Sequence, residues 1–151
     1  MFSTIAMWIA GLLAAGIVII LIIASTRPST FRIERRIAIN APPGKVFPLI
    51  NDFHAWTQRS PWEKLDPDLK RTYSGPNSGK GSVYKWEGNK NVGQGRMEIT
   101  ESAPASRILI DLRFIRPFKA SNITDFTLTP AAGGTAVNWA MDGRHVFMAK
   151  V

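Results

Sequence analysis

Residues 5–24, IAMWIAGLLAAGIVIILIIA, form 20 consecutive apolar positions, and no charged side chain occurs before Arg27. A helix of that length, at about 1.5 Å per residue, measures roughly 30 Å, one hydrocarbon thickness of a bilayer. A cleaved secretory signal has a basic start and an apolar run of about 7–15 residues. Here the opening Met-Phe-Ser-Thr is uncharged and the run is longer, so the reading is a retained transmembrane helix over residues 4–26. Arg27, Arg32, Arg35 and Arg36 follow it and nothing basic precedes it. The positive-inside bias then gives a single-pass protein of the inner (plasma) membrane with its C-terminal side in the cytoplasm. Gly11 with Ala15, and Ala10 with Ala14, have the small-xxx-small spacing that lets two helices approach closely, so homodimerisation through the anchor is a further expectation.

What remains is one domain. The chain has 151 residues, a polar Arg-Pro-Ser-Thr linker at 27–30 by the same division, and a domain segment 31–151, with all the ionic groups after Thr26. There is no cysteine, which excludes disulfides, thiolate nucleophiles and zinc-thiolate clusters, and only His54 and His145 are available as imidazole ligands. No cofactor and no metal site is expected.

Residues 31–39, FRIERRIAI, alternate in the manner of a strand, with Phe31, Ile33, Arg35, Ile37 and Ile39 on one mostly apolar face. Pro42 and Pro43 open a short helix in which Val46, Phe47 and Ile50 share a side, with Pro48 awkwardly inside it. Residues 54–65, HAWTQRSPWEKL, read as irregular. Strand-like runs then recur at 70–73, 82–87, 95–101, 107–114, 121–129 and 135–142, separated by Gly- and Pro-rich turns, the pattern of an antiparallel sheet. Alternation places Tyr84, Trp86, Met97, Ile99, Ile108, Ile110, Leu112, Phe114, Phe126, Leu128, Val137, Trp139 and Met141 on one face. Ser82, Lys85, Glu87, Arg96, Glu98, Asp111, Arg113, Asp125, Thr127 and Asn138 fall on the other, watery, face. At roughly 25 cal/mol per Å² the apolar face must be covered.

The combination of segments 41–53 (APPGKVFPLINDF), Trp56, Ser60-Pro61-Trp62, 81–88 (GSVYKWEG), 95–101 (GRMEITE), 126–130 (FTLTP) and 134–143 (GTAVNWAMDG) resembles the START-like (SRPBCC) superfamily. More narrowly, it is similar to the membrane-anchored bacterial members labelled polyketide cyclase/dehydrase-like. The resemblance implies an α+β helix-grip fold: a curved antiparallel sheet with short helices, gripping a long C-terminal helix, with an apolar cavity between them. Members continue past the Met-x-Gly element into that closing helix, whereas this sequence stops soon after Gly143, so the expectation is a C-terminally incomplete domain.

Few residues carry recognisable chemistry. The loop 75–81, GPNSGKG, differs from a phosphate-binding loop in its spacing and in having Gly81 where a hydroxyl belongs, and reads as a strand connection. Gly93-Gln94-Gly95 opens a strand and reads as a hairpin. His54 and His145 have no identifiable partner and read as surface or rim residues. Glu98, Asp111, Asp125 and Asp142 read as solvated carboxylates or partners of Arg96 and Arg113, leaving no catalytic pair. Aromatic walls with few polar groups are what an apolar ligand needs. The candidate cavity lining is therefore Trp56, Trp62, Tyr84, Trp86, Met97, Ile110, Leu112, Phe126, Trp139 and Met141. Ordinary core packing accounts for the same residues equally well.

The net charge of +8, from 19 Lys+Arg against 11 Asp+Glu, suits an anionic leaflet or a plain solvated surface; without a recognition helix or RNP-like motif nucleic acid is not an expected partner. The leading functional expectation is a membrane-anchored module that binds a hydrophobic small molecule or lipid without chemistry of its own. The alternatives are a cyclase/dehydratase-like enzyme, implied by the resemblance, and an interaction module that receives a partner's helix on its open sheet face.

Overall fold

The computed structural model describes residues 2–26, 30–58 and 60–144, apart from the side chains of residues 2–6, 10, 24, 62 and 63. The chain divides into two units, one of them residues 32–143 and the other containing the N-terminal helix.

That helix, α1, spans Phe2–Thr26 without interruption. Among the described residues, however, no helix is long and apolar enough to cross a membrane. The expected transmembrane helix and the homodimer built on it are thus not supported at this level, although the helix itself forms. Arg27 and His145 lie outside the described residues.

In the second unit, seven strands form one sheet: β1 (Thr30–Ile39), β2 (Lys70–Ser74), β3 (Val83–Glu87), β4 (Gln94–Ala103), β5 (Arg107–Arg116), β6 (Ala120–Ala131) and β7 (Gly134–Arg144), in the order β1-β7-β6-β5-β4-β3-β2. From β2 to β7 every neighbouring pair is antiparallel and consecutive, a meander, which is what short turns between alternating runs dictate. A register shift between Ile99 and Glu101 leaves Thr100 unmatched in β4 and bends the strand. The outcome is the curved antiparallel sheet with few helices expected of the α+β helix-grip class.

Between β1 and β2 come α2 (Pro43–Asn51), α3 (Phe53–Trp56) and a 3-10 turn at Pro61–Lys64. Residues 54–65 are therefore more ordered than their proline-broken sequence implies. Asp52 explains α3, because its carboxylate accepts from the backbone N–H of His54 at 2.8 Å and caps the helix. Helix α2 is strapped to the sheet at both ends. The Thr135 hydroxyl donates to the carbonyl of Ala41 at 2.6 Å, and the Ser102 hydroxyl donates to the Asn51 side chain at 2.7 Å. Val46 and Phe47 are buried beneath it, and Ile50 packs against the same core.

Ile99, Ile108 and Ile110 are fully buried at the centre, surrounded by Tyr84, Trp86, Leu112, Leu128 and Val137 from the apolar face. Three expectations of facing need correction. Ile33 and Ile37 of β1 are exposed, at 40 % and 61 %, because β1 is an edge strand and the described elements leave its apolar stripe uncovered. Ser82 is buried on the nominally watery side, where its hydroxyl donates to the Pro76 carbonyl at 2.8 Å. Asp111 is buried as well, with Arg113 folded over it at 2.7 Å.

Candidate functional site

One cavity of about 200 Å³ opens on the apolar face, lined by Trp56, Ser60, Tyr84, Trp86, Met97, Leu112 and Phe114. Cross-strand register builds its floor. Tyr84, Met97 and Leu112 lie side by side on β3, β4 and β5, while the next row is Trp86, Gly95 and Phe114. With no side chain on Gly95, the Trp86 indole lies over the backbone there; a Cβ at that position would sit 2.3 Å from the ring. Phe114 meets Trp86 edge-on with centroids 5.8 Å apart, and Tyr84 stacks beside Trp86 at 6.0 Å. The roof is Trp56, held by edge contacts to Phe53 at 5.5 Å and Phe126 at 6.1 Å.

Both indole N–H groups point away from ligand duty. Trp56 donates to the Ile50 carbonyl at 3.0 Å and Trp86 to the Val92 carbonyl at 3.1 Å. The described lining contains no carboxylate, imidazole, lysine or arginine; its polar members are Ser60 and Tyr84. Such a wall can hold an apolar body by dispersion and desolvation, and Tyr84 is its one described side chain of a type that serves as a general acid or base.

Of the ten candidate lining residues, Trp56, Tyr84, Trp86, Met97 and Leu112 come together round this cavity. Ile110 is core beneath it, 1 % exposed. Phe126 supports Trp56 from the side, and Met141 packs on the core, both away from the cavity wall. Trp139, opposite Phe126 in register, is only half-buried and lies outside the core cluster. The side chain of Trp62 lies outside the described residues. Phe114 and Ser60 are the lining residues that the sequence reading of the site omits. Phe114 was legible in the alternation of β5, whereas Ser60, in an irregular segment, gave no signal.

The polar motifs find structural uses. In the glycine loop, Gly79 N–H donates to the Asn51 carbonyl at 2.9 Å and Gly81 N–H to the Ile99 carbonyl at 2.8 Å. These amides are occupied by the fold, so the loop is a strand connection and no phosphate cradle. Gly93 turns the β3–β4 hairpin with φ +65°. Buried Asp66, which no sequence motif marks, secures that hairpin by accepting from the N–H of Asn89 at 2.7 Å and of Asp68 at 2.9 Å. His54 stacks on Tyr73 at 4.1 Å, and its Nδ1 is 2.9 Å from Asp52. This pair stands beside a separate pocket of about 70 Å³ and outside the apolar cavity.

Three further carboxylates named in the sequence are paired on the opposite face. Glu98 meets Arg96, Asp125 meets Arg107 at 2.8 Å and Asp142 meets Arg32 at 2.6 Å, the last two partners differing from those expected. The hydrogen bond to Asp125, then its charge, holds the Arg107 guanidinium above its ordinary pKa, and Asp111 acts on Arg113 in the same way.

Comparison with solved structures finds the same fold at low identity. Protein CV1439 from Chromobacterium violaceum is 20 % identical over 78 % of this chain and 81 % of its own, with a TM-score of 0.55. Protein Mll3558 from Rhizobium loti is 25 % identical over 76 % of this chain and 78 % of its own, at 0.53. The di-domain ARO/CYC BexL of the BE-7585A biosynthetic pathway is 14 % identical over 82 % of this chain and 39 % of its own, at 0.58. No curated protein matches the sequence. A family model described as polyketide cyclase / dehydrase and lipid transport matches residues 30–151, so the chain belongs to that family.

Proposed function

We propose that the domain binds a hydrophobic small molecule or lipid in the aromatic cavity and carries out no reaction on it. The observation behind this reading is the lining itself. Trp56, Tyr84, Trp86, Met97, Leu112 and Phe114 converge on one space while both indole N–H groups are bonded to backbone. A cyclase or dehydratase would need an acid or base within reach of its substrate, and the described lining holds no carboxylate, imidazole, lysine or arginine, so binding is the favoured reading. Titration of the full chain in lipid nanodiscs with N-phenyl-1-naphthylamine tests it. Saturable fluorescence above empty nanodiscs is expected, weakened at least tenfold by Leu112→Trp, which fills the space. Wild-type chain indistinguishable from empty nanodiscs would overturn the reading.

The second part of the proposal is a tether. The uncharged run 5–24 lies in the single helix α1, along which Leu12, Leu13, Ile17 and Ile20 are exposed, and an apolar surface of that kind calls for an apolar solvent. On this reading α1 crosses the inner membrane once and the domain is cytoplasmic, on the side of Arg32, Arg35 and Arg36. Gly11 and Ala15 would then be the small surface on which two copies of the helix meet. Resistance of the chain to alkaline carbonate extraction is the expected result; full release into the supernatant would refute the tether.

A further inference from the structure

Two polar side chains sit where the sheet pattern calls for apolar ones. On β6, the alternation that turns Phe126 and Leu128 toward the core also turns Asn122 and Thr124 to that face. They are 7 % and 5 % exposed. Neither side chain hydrogen-bonds to any described residue, yet no fully buried side-chain polar atom lacks a partner. The small residual exposure of Asn122 and Thr124 therefore includes their polar atoms, which open space reaches even though the rest of each side chain is covered.

Register ties this pair to the cavity. The row Tyr84, Met97, Leu112, three cavity-lining residues on adjacent strands, continues directly to Asn122 and then to Gly143. Directly opposed residues in an antiparallel pair share a face, and neighbouring strands are about 5 Å apart. The Asn122 amide thus stands one strand beyond the cavity wall at Leu112, and the residue on its far side, Gly143, has no side chain to crowd it. Thr124 follows in the next row, opposite Ile110 and Met141. Among the polar groups of this face, the indoles of Trp56 and Trp86 are already bonded. Asn122 can both donate and accept, and Thr124 likewise.

We propose that Asn122, backed by Thr124, is the polar end of the apolar site and makes it selective for a neutral ligand whose hydrophobic body ends in a carbonyl or hydroxyl. A pure hydrocarbon would leave the amide unpaired. A carboxylate would be stranded, because among the described residues the register neighbours of the pair, Leu112, Ile110, Met141 and Gly143, supply no counter-charge. This inference rests on the binding reading above and adds to it the class of ligand.

Three probes of one shape separate the possibilities: 2-acetylnaphthalene, 2-ethylnaphthalene and 2-naphthoate, titrated by tryptophan quenching into the full chain in nanodiscs and corrected for empty nanodiscs. One hydrogen bond corresponds to about a tenfold preference for the ketone over the hydrocarbon, and the carboxylate should bind more weakly than the ketone. In Asn122→Leu with Thr124→Val the preference should vanish because 2-ethylnaphthalene, no longer opposed by an unpaired amide, binds at least as tightly as to the wild type, which also shows that the variant is folded. Equal wild-type affinity for ketone and hydrocarbon, or a preference that survives in the double variant, would overturn the selectivity and leave the binding reading intact. If none of the probes binds the wild type, the binding reading falls and this inference with it. Should the double variant prove unfolded, the wild-type ranking of the three probes decides alone.

Discussion

Trp86 packs its indole into the space left by the missing side chain of Gly95, its direct register partner on the neighbouring strand. The arrangement depends on the missing side chain. A Cβ on Gly95 would be 2.3 Å from the indole and 2.6 Å from the Arg113 carbonyl oxygen, and neither the large ring nor the backbone can give way easily. Gly95→Ala should thus destabilise the domain by about 2 kcal/mol, in the range of overpacked cores. Equilibrium urea unfolding followed by tryptophan emission measures it; an unchanged midpoint would show that Trp86 does not occupy this position.

Asp66 offers a test of the hairpin that carries Trp86. Its two carboxylate oxygens serve the N–H groups of Asn89 and Asp68 in a buried setting. Asp66→Ala leaves those donors without partners and should cost about 2 kcal/mol. The loss should be local first. Amide hydrogen exchange at residues 89–93 is expected to accelerate more than exchange at Ile108 or Ile110 in the core.

The glycine loop yields a prediction with two sides. Gly75 has φ +75°, and a Cβ there would meet the Gly81 carbonyl oxygen at 2.3 Å, so Gly75→Ala should lower stability by about 2 kcal/mol or more. Gly81→Ser, which restores the hydroxyl of a phosphate-binding motif, should create no affinity for ATP with Mg²⁺. The loop amides stay bonded to Asn51 and Ile99 whatever side chain is added. Calorimetric detection of nucleotide binding would contradict this account of the loop.

Because the chain contains no cysteine, topology can be read with single introduced thiols. In intact cells Ser3→Cys should react with a membrane-impermeant maleimide, and Lys90→Cys on the β3–β4 hairpin should react only after lysis. The reverse pattern would invert the proposed orientation. Reaction of both in intact cells would exclude a single crossing with a cytoplasmic domain.

The strands were legible from the sequence because a half-buried strand repeats every two residues and the turns between them carry glycine and proline. Tyr84, Trp86, Met97 and Leu112 face inward where alternation places them. Alternation assigns a face but says nothing of distance along or across it. Phe126, Trp139 and Met141 share the face with the cavity residues and yet stand away from its wall. Facing was misread where loops or edges intervene. Ile33 and Ile37 alternate correctly and remain exposed at the sheet edge, while Ser82 is drawn under the glycine loop by its bond to Pro76.

From its own order of residues, the chain determined the apolar helix 2–26, the strand runs with their antiparallel meander from β2 to β7, and the aromatic character of one face, because these follow from local periodicity and turn chemistry. Only the tertiary structure decided which aromatics share one cavity, that Trp86 covers Gly95, that Asp66 holds the hairpin, and that Asn122 continues the row from Leu112. Those relationships join residues whose spacing is set by strand register and helix docking, and register is a property of paired strands that no single stretch of sequence contains.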